Sequence, residues 1–229
     1  MKNRIIYKLG IFILTAMVFS SCEKWIDTDI NIDPDAPAAV SMDLIMPVIQ
    51  ARVGFNIVGG NDMARTQAIW MQYYTGVARQ SQSEGSYILR AGDVNNLWGD
   101  VYADALMDIK QLHDLSAGTS PHMDGVADIL QAIVLGAATD VWGDIPYSDA
   151  LQGTANIKPA FDSQQDIYVT IQSLLDGAID NLGKDVGLFP LDGDIIYGGE
   201  IENPLAISLW EKAAYSLKVS LCIAFVKKG

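Results

Sequence analysis

Between Val126 and Trp142 apolar side chains return every three or four residues: Val126, Ile129, Leu130, Ile133, Ala137, Val141 and Trp142. That spacing is the angular repeat of an α-helix, and it places them on one stripe. The helix also has a defined end. Gly143 can take the left-handed backbone that closes a helix at little steric cost. Pro146 then forbids continuation and biases Ile145 toward an extended shape. Past the exit, Asp162-Ser-Gln-Gln165 predicts a capping box for another helix, with Gln165 reaching back to the cap.

The same period recurs along the chain. Leu44, Ile45, Val48, Ile49 and Val53 predict a first helix stopped by Gly59-Gly60. Asn61 is placed to cap a second, carrying Ala68, Ile69, Gln72, Tyr73 and Val77. A polar interval, Ser81 to Gly92, breaks the pattern. A third helix runs through Val94, Leu97, Trp98, Val101, Ala105, Ile109 and Leu112 to Gly118. The Val126–Trp142 helix is the fourth. Ile167, Ile171, Leu174, Leu175, Ala178 and Leu182 give the fifth, and Asn203-Pro204 opens a sixth through Leu205, Leu209, Trp210, Ala213, Leu217 and Leu221. Only Ile195-Ile-Tyr197 reads as a short β segment. The expected architecture is all-α, built of stacked helix pairs with long loops and little β. Trp98-Gly-Asp and Trp142-Gly-Asp recur 44 residues apart. One opens a helix and the other closes one, so helix pairs are implied rather than a strict repeat.

Residues 1–21 read as an export signal: Lys2, Arg4 and Lys8 precede an apolar run from Leu9 to Phe19 that is too short and too early for a membrane span. Small residues stand directly before Cys22, as at a bacterial lipoprotein cleavage site. Acyl chains on Cys22, at about 0.8 kcal/mol per buried methylene, would hold the mature chain to a membrane. Residues 22–40 form an extended tether. Its alternating acids lack the glycine and terminal glutamate of a calcium loop, with Ile32 and Ala38 at those positions. The helical domain is 41–229. Cys222, the only other cysteine, sits in an apolar helical run as a small hydrophobe.

Of 15 basic residues, three lie in the leader, which holds no acid, so residues 22–229 carry 12 basic against 28 acidic groups, a net −16. Such a surface repels nucleic acid, and no basic stripe offsets it. His113, late in the third helix, and His122, in a polar loop, have no second ligand at metal spacing. No nucleophile elbow, phosphate loop or dinucleotide fingerprint is present. Asp140 and Asp144 flank Trp142 and are the one carboxylate pair worth weighing as a glycosidase dyad. The structural alternative has Trp142 and Tyr147 packing the exit turn while Asp144 bonds its backbone. Trp70, Trp98 and Trp210 fall on helices and belong to the core. The loop residues Tyr87, Arg90, Asn95 and Asn96 combine an aromatic face with hydroxyl-binding groups, the pattern a sugar site needs.

Several ordered motifs together resemble one family. They are Asn31-Ile-Asp-Pro-Asp-Ala-Pro37, Leu97-Trp98 with Tyr102, and Asp140-Val-Trp142-Gly143-Asp144-Ile-Pro146-Tyr147-Ser-Asp-Ala-Leu151. Then follow Pro159-x-Phe-Asp-x-Gln-x-x-Ile-Tyr168, Asp194-x-x-Tyr197-Gly-Gly199 and Trp210-Glu-Lys-x-Ala-x-Ser-Leu-Lys218. Their wording and order are similar to the SusD/RagB family, in its SusD-like second branch. The resemblance implies tetratricopeptide-like helix pairs with a ligand-binding lobe of loops, and a lipid anchor on the outer face of the outer membrane. It implies a lid over a SusC-like TonB-dependent transporter that captures glycans, or sometimes peptides. It implies no enzymatic activity and no cofactor. Tyr215 departs from the family's Asn, Val219-Ser220 from its Leu-Arg, and Glu23-Lys24 is a weak form of its export signal to the cell exterior. Family members extend well beyond the point matching Gly229, so an amino-terminal portion truncated at the carboxyl end is expected. The rivals are a secreted glycoside hydrolase using Asp140 and Asp144, and a helical scaffold that binds only protein.

Overall fold

One helix is enclosed and the others are laid against it. The computed structural model describes residues 40–59, 62–185, 193–198 and 204–226, with the side chains of 62, 204 and 222–226 left aside. The export segment, Cys22, the tether, the cap positions Asn61 and Asn203 and the Cys222 side chain lie outside the described residues. Apart from Val40, the described residues belong to the unit Ser41–Gly229.

Helix α1, Met42–Arg52, continues without a break into a π-helical turn, Val53–Gly59. Next come α2, Asp62–Trp70, and α3, Arg79–Gly85. Helix α4, Asn95–Gly99, runs through a second π-helical stretch, Asp100–Leu106, into α5, Met107–Ser116. Helix α6 is Pro121–Trp142, α7 is Gln164–Leu182 and α8 is Pro204–Val226. Among the described residues there is no strand. A lone antiparallel bridge joins Ile145 to Asp162. The fold is all-α.

Helix α6 explains the layout. Pro121 at its first position supplies a preset φ where no backbone donor is needed. Of the predicted stripe Val126, Ile129 and Leu130 are buried, but Ile133, Ala137 and Trp142 are only part-buried and Val141 is exposed, while Met123, Val134, Leu135 and Ala138 on other faces are buried. A helix apolar on all sides belongs in the middle of a bundle. Its length and composition would suit a membrane span, yet 67% of its most apolar window is buried among its neighbours. Helix α7 packs most extensively on it, α8 packs on α7, and α5 on α6, so consecutive helices stack as pairs. Gly125 brings α7 close: a Cβ there would meet the Ala178 carbonyl at 3.0 Å and Leu182 at 3.1 Å.

Several expectations need correction. In α1 the buried face is Ile45, Met46, Ile49 and Val53, while Leu44 and Val48 are exposed. The buried face is rotated from the predicted one, and the π-helical continuation carries it on through Val53 to Ile57. The second helix stops at Trp70, since Gln72 takes a left-handed φ of 62°, leaving Tyr73 and Val77 in solvent rather than on a stripe. The polar interval after it contains α3, which Glu84 anchors by burial and a two-pronged bond from Arg65 (2.9 and 3.2 Å). His122 is in the first turn of α6, buried, with Nε2 bonded to the Lys184 carbonyl at 2.8 Å.

Ile195-Ile-Tyr197 is a turn, not a strand. Its register is set by Asp194, whose buried carboxylate accepts from Gln50 Nε2 (2.9 Å), Trp210 Nε1 (2.8 Å) and the Ile196 amide (3.0 Å). Gln50 Oε1 in turn accepts from the Ile195 amide at 2.7 Å. Tyr197 meets Trp210 edge-on at 4.9 Å. One acid therefore pins α1, the turn and α8 together. Nearby, Pro47 lacks the amide that would bond the Asp43 carbonyl. Gly193 lies against that carbonyl so closely that an added Cβ would sit 2.3 Å from it.

Candidate functional site

The motif around Trp142 is the most elaborate local structure, and its geometry is that of a brace. Gly143 closes α6 with φ 78° and ψ −113°. The positive φ was expected, but ψ lies away from the left-handed helical value, in a region that suits glycine alone. Ile145 is extended and exchanges backbone bonds with Asp162 (3.2 and 3.0 Å). The capping box is displaced by one residue. Ser163 is the N-cap of α7 and accepts from the Asp166 amide, whereas Asp162 turns back to accept from the Tyr147 and Ser148 amides at 2.9 and 2.8 Å. Partial burial opposes ionisation of Asp162, but the Ser148 and Tyr147 donors outweigh it and hold its carboxyl below the usual range.

Asp144 bonds not its own turn but the Gln164 amide, 2.9 Å away, in the first turn of α7. An acid is favourable there, where helix amides lack partners. The Gln164 side chain returns a bond to the Thr139 carbonyl at 2.6 Å. Trp142 packs edge-on against Trp98 (5.0 Å), which tilts over Tyr102 (4.5 Å). The Tyr102 hydroxyl donates to the Pro146 carbonyl at 2.9 Å. Burial, with the Asp162 charge adding to it, keeps that hydroxyl protonated far above its ordinary range. The two Trp-Gly-Asp copies thus meet in space.

A polar cluster lies beside this brace. His113 Nδ1 faces Asp124 Oδ1 at 2.7 Å, and Nε2 faces Gln131 Oε1 at 3.1 Å with Asp128 at 3.6 Å. Ser116 Oγ and Asn181 Nδ2 also donate to Asp124, and Gln131 Nε2 donates to the Tyr147 hydroxyl. Burial pushes the His113 pKa down. The Asp124 hydrogen bond, the charges of Asp128 and Asp124, and the Gln131 bond together more than reverse it. Burial raises Asp128 to about 7, partly countered by His113. A general base needs a free imidazole lone pair. Here both ring nitrogens face oxygen acceptors and Ser116 bonds Asp124 rather than the imidazole, so His113, Asp124 and Asn181 form a strut between α5, α6 and α7.

The recess with binding character opens beside α2. A cleft of about 230 Å³ has buried Met63 and Leu97 in its lining, together with Trp70, Leu89, Val94 and Val141. Thr66, Gln67, Asp93 and Asp140 supply its polar groups. Tyr168 donates to Asp140 Oδ1 at 2.6 Å, which offsets an acid in the last turn of α6. Asp144 is not among the lining residues, so the two candidate dyad acids do not share this recess.

The four sequence-predicted contact residues are all exposed, around rather than inside the cleft. Tyr87 donates to the Trp70 carbonyl at 3.1 Å, its ring 6.1 Å from the Trp70 ring. The Arg90 amide donates to Asp93 at 2.8 Å. Asn95 and Asn96 begin α4. On that stretch the cleft is lined instead by Leu89, Asp93, Val94 and Leu97. Trp70, assigned to the core by its helical position, is half-buried and forms a wall. Just after Trp70 in the chain, Tyr73, Tyr74 and Val77 are 78%, 69% and 83% exposed, a run of large apolar groups in solvent. Among the described residues, no group of three or more His, Cys, Asp or Glu side chains is placed to hold a metal ion.

Residues 35–229 match the family model SusD-like_2, described as starch-binding and associating with the outer membrane. The chain belongs to the SusD-like family. Among solved structures it resembles a SusD/RagB family protein from Bacteroides thetaiotaomicron, at 23% identity and TM-score 0.67, over 83% of this chain and 39% of that one. A chitin-binding protein is similar at 23% identity and TM-score 0.67, over 80% and 39%. A SusD homologue from Bacteroides fragilis gives 20% identity and TM-score 0.60, over 82% and 37%. No curated protein matches the sequence. The likeness to these structures is one of fold, and the chain spans about two fifths of the length of the first two. In this SusD-like chain, the motif residues around Trp142 and the Asp194–Tyr197–Trp210 pin serve as scaffold.

Proposed function

We infer that this chain is a surface nutrient-binding lipoprotein, or the amino-terminal part of one, which captures a glycan for a SusC-like TonB-dependent transporter. Cys22 carries the acyl chains that hold it to the outer membrane, facing the exterior. Its role is to bind and hand over without altering the ligand, and it needs no cofactor to do so. The observation that carries this reading is the Trp70 cleft. It is a recess with an aromatic wall, apolar lining and hydroxyl-accepting carboxylates, with the exposed Tyr87 set against its Trp70 wall. Aromatic faces take the apolar faces of sugar rings, while carboxylates and amides take their edges.

Membership of a family described as starch-binding supports a glycan over a peptide. The hydrolase reading is weaker, since Asp144 is engaged with Gln164 outside the cleft and its supposed partner Asp140 is bonded to Tyr168. Affinity electrophoresis through gels containing starch, xylan, glucan or glycol-chitin tests the capture. Retardation by at least one gel is expected, and equal mobility in all of them would overturn it. Metabolic labelling with a fatty-acid analogue, lost in Cys22→Ser, tests the anchor. Co-purification of a barrel transporter from solubilised outer membranes tests the partnership.

A further inference from the structure

We propose that the Trp70 cleft selects a neutral sugar carrying an N-acetyl group, a selection that rests on the glycan-capture reading above. A plain hexose is apolar on its ring faces only, and every edge hydroxyl taken from water needs a new partner. A flat aromatic platform would serve such a ring. This recess differs, because buried Met63 and Leu97 line it together with Trp70, Leu89, Val94 and Val141. Within about 230 Å³ it offers more apolar than polar lining. An acetamido group matches that division. Its methyl has an apolar lining to enter, its N–H has a carboxylate to donate to at Asp93 or Asp140, and its carbonyl can accept from Gln67 or Thr66. Burial of the methyl alone is worth about fourfold in affinity, and a hydrogen bond to a charged acceptor about tenfold more.

Charge narrows the class further. The lining contains two acids and no lysine or arginine, and the whole chain has 28 acids against 15 bases. Arg65 on α2 is paired with Glu84. Arg90 stands outside the recess, its amide bonded to Asp93. A uronate or sulfated sugar entering here brings a negative charge toward like charges, with no cation in the lining to offset it.

Calorimetric titration of the purified chain with chitotetraose, cellotetraose and tetragalacturonate at physiological salt tests this. Chitotetraose is expected to bind at least about tenfold more tightly than cellotetraose, and tetragalacturonate not measurably. Thr66→Trp fills the cleft and is expected to abolish binding with the thermal melt unchanged. Asp93→Asn keeps an acceptor for the Arg90 amide and is expected to admit the uronate. Cellotetraose or tetragalacturonate binding as tightly as chitotetraose would overturn the selection while leaving glycan capture intact. So would full binding by a folded Thr66→Trp protein. If none of the three oligosaccharides binds and all the polysaccharide gels are also blank, the capture reading falls as well.

Discussion

Segments 121–142 and 71–89 both carry many large apolar side chains, and the molecule treats them in opposite ways. In α6 most of those side chains are buried against α5, α7 and α8, and only Val141, at its carboxyl end, is exposed. Between Trp70 and α4 they stand in water, on a backbone that takes positive φ at Gln72, Arg79 and Tyr87. Regular hydrogen bonding lets a segment bury its side chains. A segment with irregular backbone stays at the surface, where its amides can reach water. The first region therefore holds the fold, and the second is free to meet a ligand.

The sharpest break in this contrast comes from truncating one side chain in each region. Leu130→Ala, at a fully buried position of α6, should cost about 2–5 kcal/mol in chemical denaturation. Tyr73→Ala should stay within about 0.5 kcal/mol, and weaken glycan retardation instead. Comparable losses of stability at both sites would erase the distinction. Next in size is Gly143→Ala. No neighbouring atom opposes the new Cβ, so the expected cost of about 1–3 kcal/mol is backbone strain alone. A neutral result would show that α6 can end in another way.

The His113 strut should make the core region sensitive to pH while leaving the loop region indifferent. His113 has a raised folded pKa, so its contribution is full below about 6.5 and is lost as pH rises through the folded value. Asp128 favours its protonated form in the fold, and stability falls between its ordinary 3.8 and about 7. Asp124 acts oppositely, contributing above its ordinary value and failing only in acid. The melting temperature should therefore drop by several degrees from mildly acidic to mildly alkaline pH, and Asp128→Asn should flatten that slope. A melt that rises over the same range would contradict the strut. The smallest effect is expected at the exposed i,i+4 pair of Lys110 and Asp114, where Lys110→Ala should change stability by less than about 0.5 kcal/mol.

Much of the scaffold was legible because periodicity reports burial directly. Ile167, Ile171, Leu175, Ala178 and Leu182 of α7 are buried as their spacing requires, and Pro146 does place Ile145 in an extended bridge. The misreadings share one cause: partners remote in sequence. Asp162 looked like a cap until Tyr147 and Ser148 claimed it. His113 read only as a histidine late in a helix until Asp124, Asp128 and Gln131 surrounded it. The 81–96 interval stood out because polar loops with exposed aromatics are conspicuous, and the structure sets its Tyr87 against Trp70 and its Arg90 amide on Asp93, two residues that line the cleft. The cleft itself escaped notice. Met63, Trp70 and Asp140 come from two helices, α2 and α6, and no local pattern joins them to Leu89 and Asp93.

The central claim is that this helical scaffold holds a glycan at the Trp70 cleft and releases it unchanged. Equilibrium dialysis of the chain against chitotetraose, with mass spectrometry of the recovered sugar, tests it most directly. Saturable retention of an intact tetramer, absent in a folded Thr66→Trp protein, is the predicted result. Shortened products, or retention unaffected by that substitution, would contradict it.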